Sequence, residues 1–123
     1  MTQACKQSVP KKMLSKKAKI DRLLKADLFK ALSDPTRLLL LSCLSKCARA
    51  CSLSEISECC KVDLSVVSRH MSQLQNAGLV SSEKQGRTVL FETRFSEVIK
   101  TFRELAEGFE ECCPEITKNC KCC

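Results

Sequence analysis

Eleven cysteines are spread along this 123-residue chain in separate groups. Cys43, Cys47 and Cys51 recur every four residues, Cys59 and Cys60 are adjacent, and Cys5 is alone. Cys112, Cys113, Cys120, Cys122 and Cys123 crowd the last twelve residues. At this density a small exported chain would be read as a disulfide framework. The N-terminus Met-Thr-Gln-Ala-Cys-Lys-Gln-Ser-Val-Pro, however, has no apolar h-region and no cleavage site of the usual kind. The expectation is therefore a cytoplasmic chain with reduced thiols, which bind a soft metal or sense redox chemistry. Five thiols at a chain end, where little core exists to bury them, are hard to explain as packing. Cys43, Cys47, Cys59 and Cys60 are expected to be packing residues, since unpaired cysteine behaves as a small hydrophobe. Cys5 and Cys51 receive no role.

Charge is as unevenly placed as the thiols. The chain carries 21 Lys+Arg against 14 Asp+Glu, a net +7. Residues 1–30 hold nine basic and two acidic side chains, whereas residues 31–123 hold twelve of each. The excess thus belongs to an N-terminal arm and the helix after it, and the body is neutral. Within the body, 61–94 is slightly basic (five against three) and 95–123 slightly acidic (four against six). A polyanionic partner such as nucleic acid would meet the arm and the 61–94 region. The longest aliphatic run, Leu38 to Leu41, is far too short to span a membrane.

The elements that must position these residues follow from periodicity. Residues 1–15 read as a basic irregular arm. From Lys16 to about Leu32, apolar residues recur at three and four (Ile20, Leu23, Leu24, Leu28, Ala31, Leu32), which predicts one helix. Asp34 and Pro35 are the N-cap and first turn of a second helix, to about Lys46. It is apolar nearly all round, which marks it as a buried central element. A short third helix starts near Ser54. Asp63 caps a fourth, running to about Ala77 and ended by Gly78, with Val67, Met71 and Leu74 as its core face. A hairpin follows, turning at Gln85-Gly86. A last helix, capped by Ser96 and carrying Val98, Phe102, Leu105 and Phe109 in register, ends before Pro114. The order α-α-α-α-β-β-α, mainly helical with a β-hairpin wing, divides into the arm (1–15), one folded domain (16–113) and a cysteine-rich tail (114–123).

A short helix, a three-residue connection (Lys61, Val62, Asp63) and a second helix with a small polar N-terminal face form a helix-turn-helix signature. Hydroxyls and an arginine on such a helix can hydrogen-bond base edges and phosphates. The hairpin after it would be a wing, its tip placing Lys84 and Arg87 near flanking DNA. No Gly-rich loop, acid pair or nucleophile–base pair points to an enzyme.

Residues 29–41 (Phe-Lys-Ala-Leu-Ser-Asp-Pro-Thr-Arg-Leu-Leu-Leu-Leu), the segment Asp63 to Val80, and Lys84-Gln-Gly-Arg87 resemble the ArsR/SmtB family of metal-responsive winged-helix repressors. The resemblance covers residues 29 to about 95. It implies that the fourth helix is the recognition helix, with Ser65, Ser68, Arg69, His70 and Gln73 as contacts to double-stranded operator DNA. It also implies a homodimer paired through the first and last helices, in keeping with the apolar face of the last one. His70, the single histidine of the chain, is read as a DNA contact or packing residue and not as a metal ligand.

The resemblance also narrows the inducer. Family sites for zinc or nickel on the last helix use carboxylates and histidines, and this helix has no histidine. A second family site, Cys-Val-Cys on the third helix, aligns with Ser52-Leu53-Ser54, whose hydroxyls cannot replace thiolates. Some arsenic-sensing members carry an adjacent Cys pair at the end of the last helix and a third Cys shortly after. Cys112-Cys113-x6-Cys120 resembles that pattern and implies As(III) or Sb(III) as inducer on those three thiolates, with Cys122 and Cys123 as substitutes. Adjacent cysteines point apart on a regular helix, so they converge only where it ends, as before Pro114. Two alternatives stand beside this reading. One is a redox- or persulfide-sensing repressor of the same fold using Cys43 and Cys112. The other is a cysteine-rich metal-storage protein without DNA activity.

Overall fold

The computed structural model describes residues 19–112. In chain order the elements are α1 (Lys19–Leu23), α2 (Ala26–Ala31), α3 (Pro35–Lys46), β1 (Cys51–Ser52), α4 (Leu53–Cys60), α5 (Leu64–Asn76), β2 (Val80–Gln85), β3 (Thr88–Thr93) and α6 (Phe95–Cys112). The basic arm and the tail beyond Cys112, with Cys5, Cys113, Cys120, Cys122 and Cys123, lie outside the described residues. Of the described residues, 26–99 form one compact unit, and α1 with the part of α6 from Lys100 onward belongs to a second.

In the 26–99 unit, α3, α4 and α5 pack on one another and on a three-stranded antiparallel sheet of order β1-β3-β2. Leu40 and Leu44 of α3, Ile56 of α4, and Val67, Met71 and Leu74 of α5 form the core. Leu40, Val67, Met71 and Leu74 are wholly sequestered from solvent. Thr93, the one buried polar residue among the described residues, shares a hydrogen bond of 2.9 Å with Ser45, which ties β3 to α3. The caps are local and strong. Asp34 accepts from the Arg37 backbone N–H at 3.0 Å, and that bond holds its carboxyl below the ordinary value. Ser52 and Glu55 form a reciprocal capping box at the start of α4. Glu55 also pairs with the Arg49 guanidinium. With that hydrogen bond first and the Ser52 backbone N–H second, its carboxyl is pulled down to about 2.

In the other unit, α1 lies on the part of α6 beyond residue 99. Gly108 is what permits the approach: a β-carbon there would meet the Ile20 and Leu23 side chains at 3.1 and 3.2 Å. Lys19 completes the contact, 3.7 Å from both Glu107 and Glu111.

Several expectations are corrected. The single helix from Lys16 to Leu32 is two, broken at Leu24-Lys25, where the backbone turns through Lys25 N–H to Leu23 C=O. The apolar residues on either side serve different partners. Ile20 and Leu23 pack on Gly108, while Leu28 and Ala31 enter the core of the 26–99 unit. The uniformly apolar α3 is not buried all round, since Leu38 and Leu39 are 45% and 46% exposed. Leu40 and Leu44 are buried in the core and Leu41 packs partly against it, because one side of a helix at a time can touch the packed layer. The strand β1 was not foreseen. Its two residues pair with Phe91 and Leu90, too short a segment to show a period. The hairpin turn is Gly86-Arg87, one residue later than expected, because Gln85 pairs with Thr88. Gly86, at φ +66°, supplies the positive φ such a turn needs at its first position. Helix α6 begins at Phe95, one residue before Ser96.

Two measurements check this packing. Leu40→Ala should cost roughly 2–5 kcal/mol in urea unfolding, and Leu39→Ala much less, since only the first opens a cavity. Equal losses would place both faces of α3 in the core. Because Glu55 titrates lower in the folded chain than its ordinary value of 4.5, its contribution to stability is complete above that pH and is lost as the pH falls toward 2. The Glu55→Gln variant should therefore show a flatter decline of Tm with pH across that window.

Candidate nucleic-acid interface and thiol sites

Helix α5 is anchored on one side and open on the other. Val67, Met71 and Leu74 point into the core, and Ser65, Ser68, Arg69, Ser72 and Gln73 form an exposed polar stripe at helical spacing. The turn that aims α5 is closed by two bonds. The Ser57 hydroxyl donates to the Val62 carbonyl at 2.6 Å, and the Val62 N–H donates to the Ser57 carbonyl at 3.2 Å. Lys61 makes the turn by adopting φ +55°, capping α4. At the N-terminus of α5, Asp63 accepts from the Ser65 backbone N–H at 3.3 Å and from the Ser65 hydroxyl. The Ser65 hydrogen is thus committed to its own cap, which leaves the oxygen free to accept.

The structure divides the expected contacts. Ser65, Ser68, Arg69 and Gln73 are exposed on α5, and Lys84 and Arg87 are exposed at the end of the hairpin. His70 stands apart from them. Its side chain is only 15% exposed, and its Nε2 lies 4.0 Å from Asp34, beside the start of α3. Of the expected contacts it is the one that lies against another helix rather than in the exposed stripe. The wing is held to α5 as well, by the Gln75 side-chain amide donating to Ser82 at 3.0 Å. Gln75 was not singled out in the sequence, and a bond between residues on different elements has no local signal to reveal it.

Among the described residues the thiols fall into three places. Cys112 is exposed at the end of α6. Cys51 is buried in β1, and burial first, then the Cys47 thiol beside it, pushes its pKa up to about 11. Cys43, Cys59 and Cys60 come together: their three Sγ atoms all lie within 4.8 Å of one another. The sequence suggested packing roles for these three but not that their sulfurs converge. Burial, reinforced by its two thiol neighbours, raises Cys60 to about 12. Cys43, Cys47, Cys51 and Cys59 also line an open cavity of about 410 Å³, with Arg49, Glu55 and Glu58 among its other walls. The adjacent pair Cys59-Cys60 at a helix end was the only trace of this cluster in the sequence, and its partner sixteen residues back gave none.

With this geometry in hand, the comparisons with known proteins are specific. A helix-turn-helix domain family matches residues 32–83. The chain is 33% identical over 91 residues to an uncharacterized HTH-type transcriptional regulator, YceK, of Bacillus subtilis strain 168, covering 74% of this chain and 87% of that one. It is 31% identical over 86 residues to a transcriptional repressor SmtB homolog of Synechocystis, covering 70% and 64%. Among solved structures, an ArsR-like transcriptional regulator from Rhodococcus sp. RHA1 superposes with a TM-score of 0.66 at 30% identity, over 82% of this chain and 89% of the other. Among the described residues no helix is long and apolar enough to cross a membrane. An anchored α5, a tight turn before it and a hairpin tied behind it are the parts of a DNA-reading head, and the chain belongs to the ArsR/SmtB family of winged helix-turn-helix transcriptional regulators.

Proposed function

We propose that this regulator is an operator-binding repressor that lets go of DNA when trivalent arsenic or antimony ligates thiolates at its C-terminus. The observation that carries the DNA half is the exposed stripe Ser65, Ser68, Arg69, Gln73 on a helix whose opposite side is locked in the core. Arg69 is the side chain suited to a bidentate contact with a guanine edge, and Lys84 and Arg87 at the wing are suited to phosphates. The inducer half rests on Cys112, exposed at the end of α6, together with Cys113 and Cys120 as the other ligands and Cys122 and Cys123 as substitutes. Thiolates unmixed with nitrogen or oxygen ligands favour thiophilic ions.

The working form is a homodimer, paired through the first and last helices. Supporting this, α6 leaves Phe95, Ile99, Phe102 and Phe109 between 40% and 54% exposed, an apolar surface that a lone soluble chain rarely leaves to water. Seating the inducer beside that surface couples ligand to DNA. Release follows only to the extent that the ion binds the DNA-free dimer better, and a hundredfold loss of operator affinity requires about 2.7 kcal/mol of such preference.

Fluorescence anisotropy on a candidate operator tests the whole reading. As(III) or Sb(III) should release the DNA, and release by Zn(II) alone, or by no ion, would overturn it. Cys113→Ser should abolish the response, whereas Cys43→Ser should leave it intact. The reverse pattern would favour a redox or persulfide sensor built on Cys43 and Cys112. Arg69→Ala should weaken operator binding by about 1–3 kcal/mol and relax base preference, while Lys84→Ala should weaken all sequences alike and lower the salt slope by about one. In sedimentation, Phe109→Glu should shift the protein toward monomer.

A further inference from the structure

The reading head contains a set of converging sulfurs of its own. Cys43 projects from α3, and Cys59 and Cys60 close α4. Neighbouring cysteines inside a regular helix diverge by about 100°. Here Cys60 is the last helical residue and the chain turns left-handed at Lys61 immediately after, so the pair sits where the helix constraint ends. Cys43 reaches it from the adjoining helix, all three Sγ atoms lie within 4.8 Å of one another, and among the described residues no histidine or carboxylate joins the group. Cys59 is exposed, and Cys43 and Cys60 are half-buried, so the cluster opens to solvent on one side.

We propose that Cys43, Cys59 and Cys60 form a three-thiolate site for a pyramidal trivalent ion of the arsenite class, located in the DNA-reading head and independent of the C-terminal thiols.

Three sulfurs without a fourth ligand match an ion that bonds to three donors and keeps a lone pair. Charge favours the same class. Arsenous acid exchanges three hydroxides for three thiols: three As–O bonds break, three As–S bonds form, and each thiol proton leaves with a hydroxide as water. Arsenic stays trivalent, no oxidant is consumed, and the product is neutral. A divalent ion on the same thiolates would leave a net negative centre at the C-terminal end of α4, where the helix dipole is already negative. Glu58, on the wall of the cavity that Cys43 and Cys59 also line, adds to that penalty. Once filled, the site would join α4, the first helix of the reading pair, to α3 through covalent bonds.

The test uses the full chain with Cys112, Cys113, Cys120, Cys122 and Cys123 all changed to serine, reduced and freed of reductant, and titrated with sodium arsenite. Native mass spectrometry should show one arsenic per chain, and a thiol reagent should find three fewer reactive cysteines. Adding Cys59→Ser, at an exposed position that does not threaten folding, should weaken uptake at least tenfold, and Cys47→Ser should leave it unchanged. Circular dichroism confirms that each variant is folded. No uptake, uptake indifferent to Cys59→Ser, or uptake lost with Cys47→Ser would each overturn the proposal. Because uptake is read without the C-terminal thiols and operator release with them present, either reading can fail while the other stands.

Discussion

The burial of Val67, Met71 and Leu74 against the Leu40/Leu44 stripe of α3 is the contact on which the rest of the head depends. These side chains are sealed from water almost completely, and each is worth roughly 1.5–3 kcal/mol of transfer free energy. With one side of α5 immobilised in this way, its polar side has a single direction in which to face. The recognition helix is not itself strongly basic, and Arg69 is its only formal cation. Under the proposed function, reading DNA would rest on this helix being held still, so that short hydroxyl and amide side chains arrive at fixed positions.

Smaller polar bonds refine that placement. The Ser57–Val62 pair sets the angle between α4 and α5, and Gln75 to Ser82 fixes the base of the wing. Neither would hold the fold alone, since a typical hydrogen bond nets about 1 kcal/mol. Their value lies in orientation. The Asp34 cap starts α3, lies within charge contact of Arg37 at 3.8 Å, and has His70 of the recognition helix beside it. A residue legible in the sequence as a simple helix start also lies beside a second helix.

The cysteines show where legibility stops. The cluster after Cys112 stood out because it is dense and local. The group in the head did not, because Cys43 and Cys59 belong to different helices and meet only through their packing. Reading Cys43, Cys59 and Cys60 as packing residues did not reveal that their sulfurs converge, and Cys51, to which the sequence assigned no role, is the thiol buried in the core at 2% exposure. A similar reason explains Leu38 and Leu39. A helix apolar on every side announces that it will bury something, but not which faces its neighbours leave uncovered.

From the sequence alone, the Asp34 and Asp63 caps, the helix-turn-helix spacing, the inner face of α5 and the existence of the hairpin were determined, because each is written in residues no more than a few positions apart. The family followed from the same short-range patterns. Tertiary structure decided that the first expected helix is two, that β1 completes the sheet, that His70 lies beside Asp34, and that the sulfurs of three cysteines from two helices lie within 4.8 Å of one another. The physical reason is common to all four. Local preferences are set by backbone and side-chain geometry within a turn or two of chain, whereas these outcomes depend on which surfaces meet when separate elements compete for the same core.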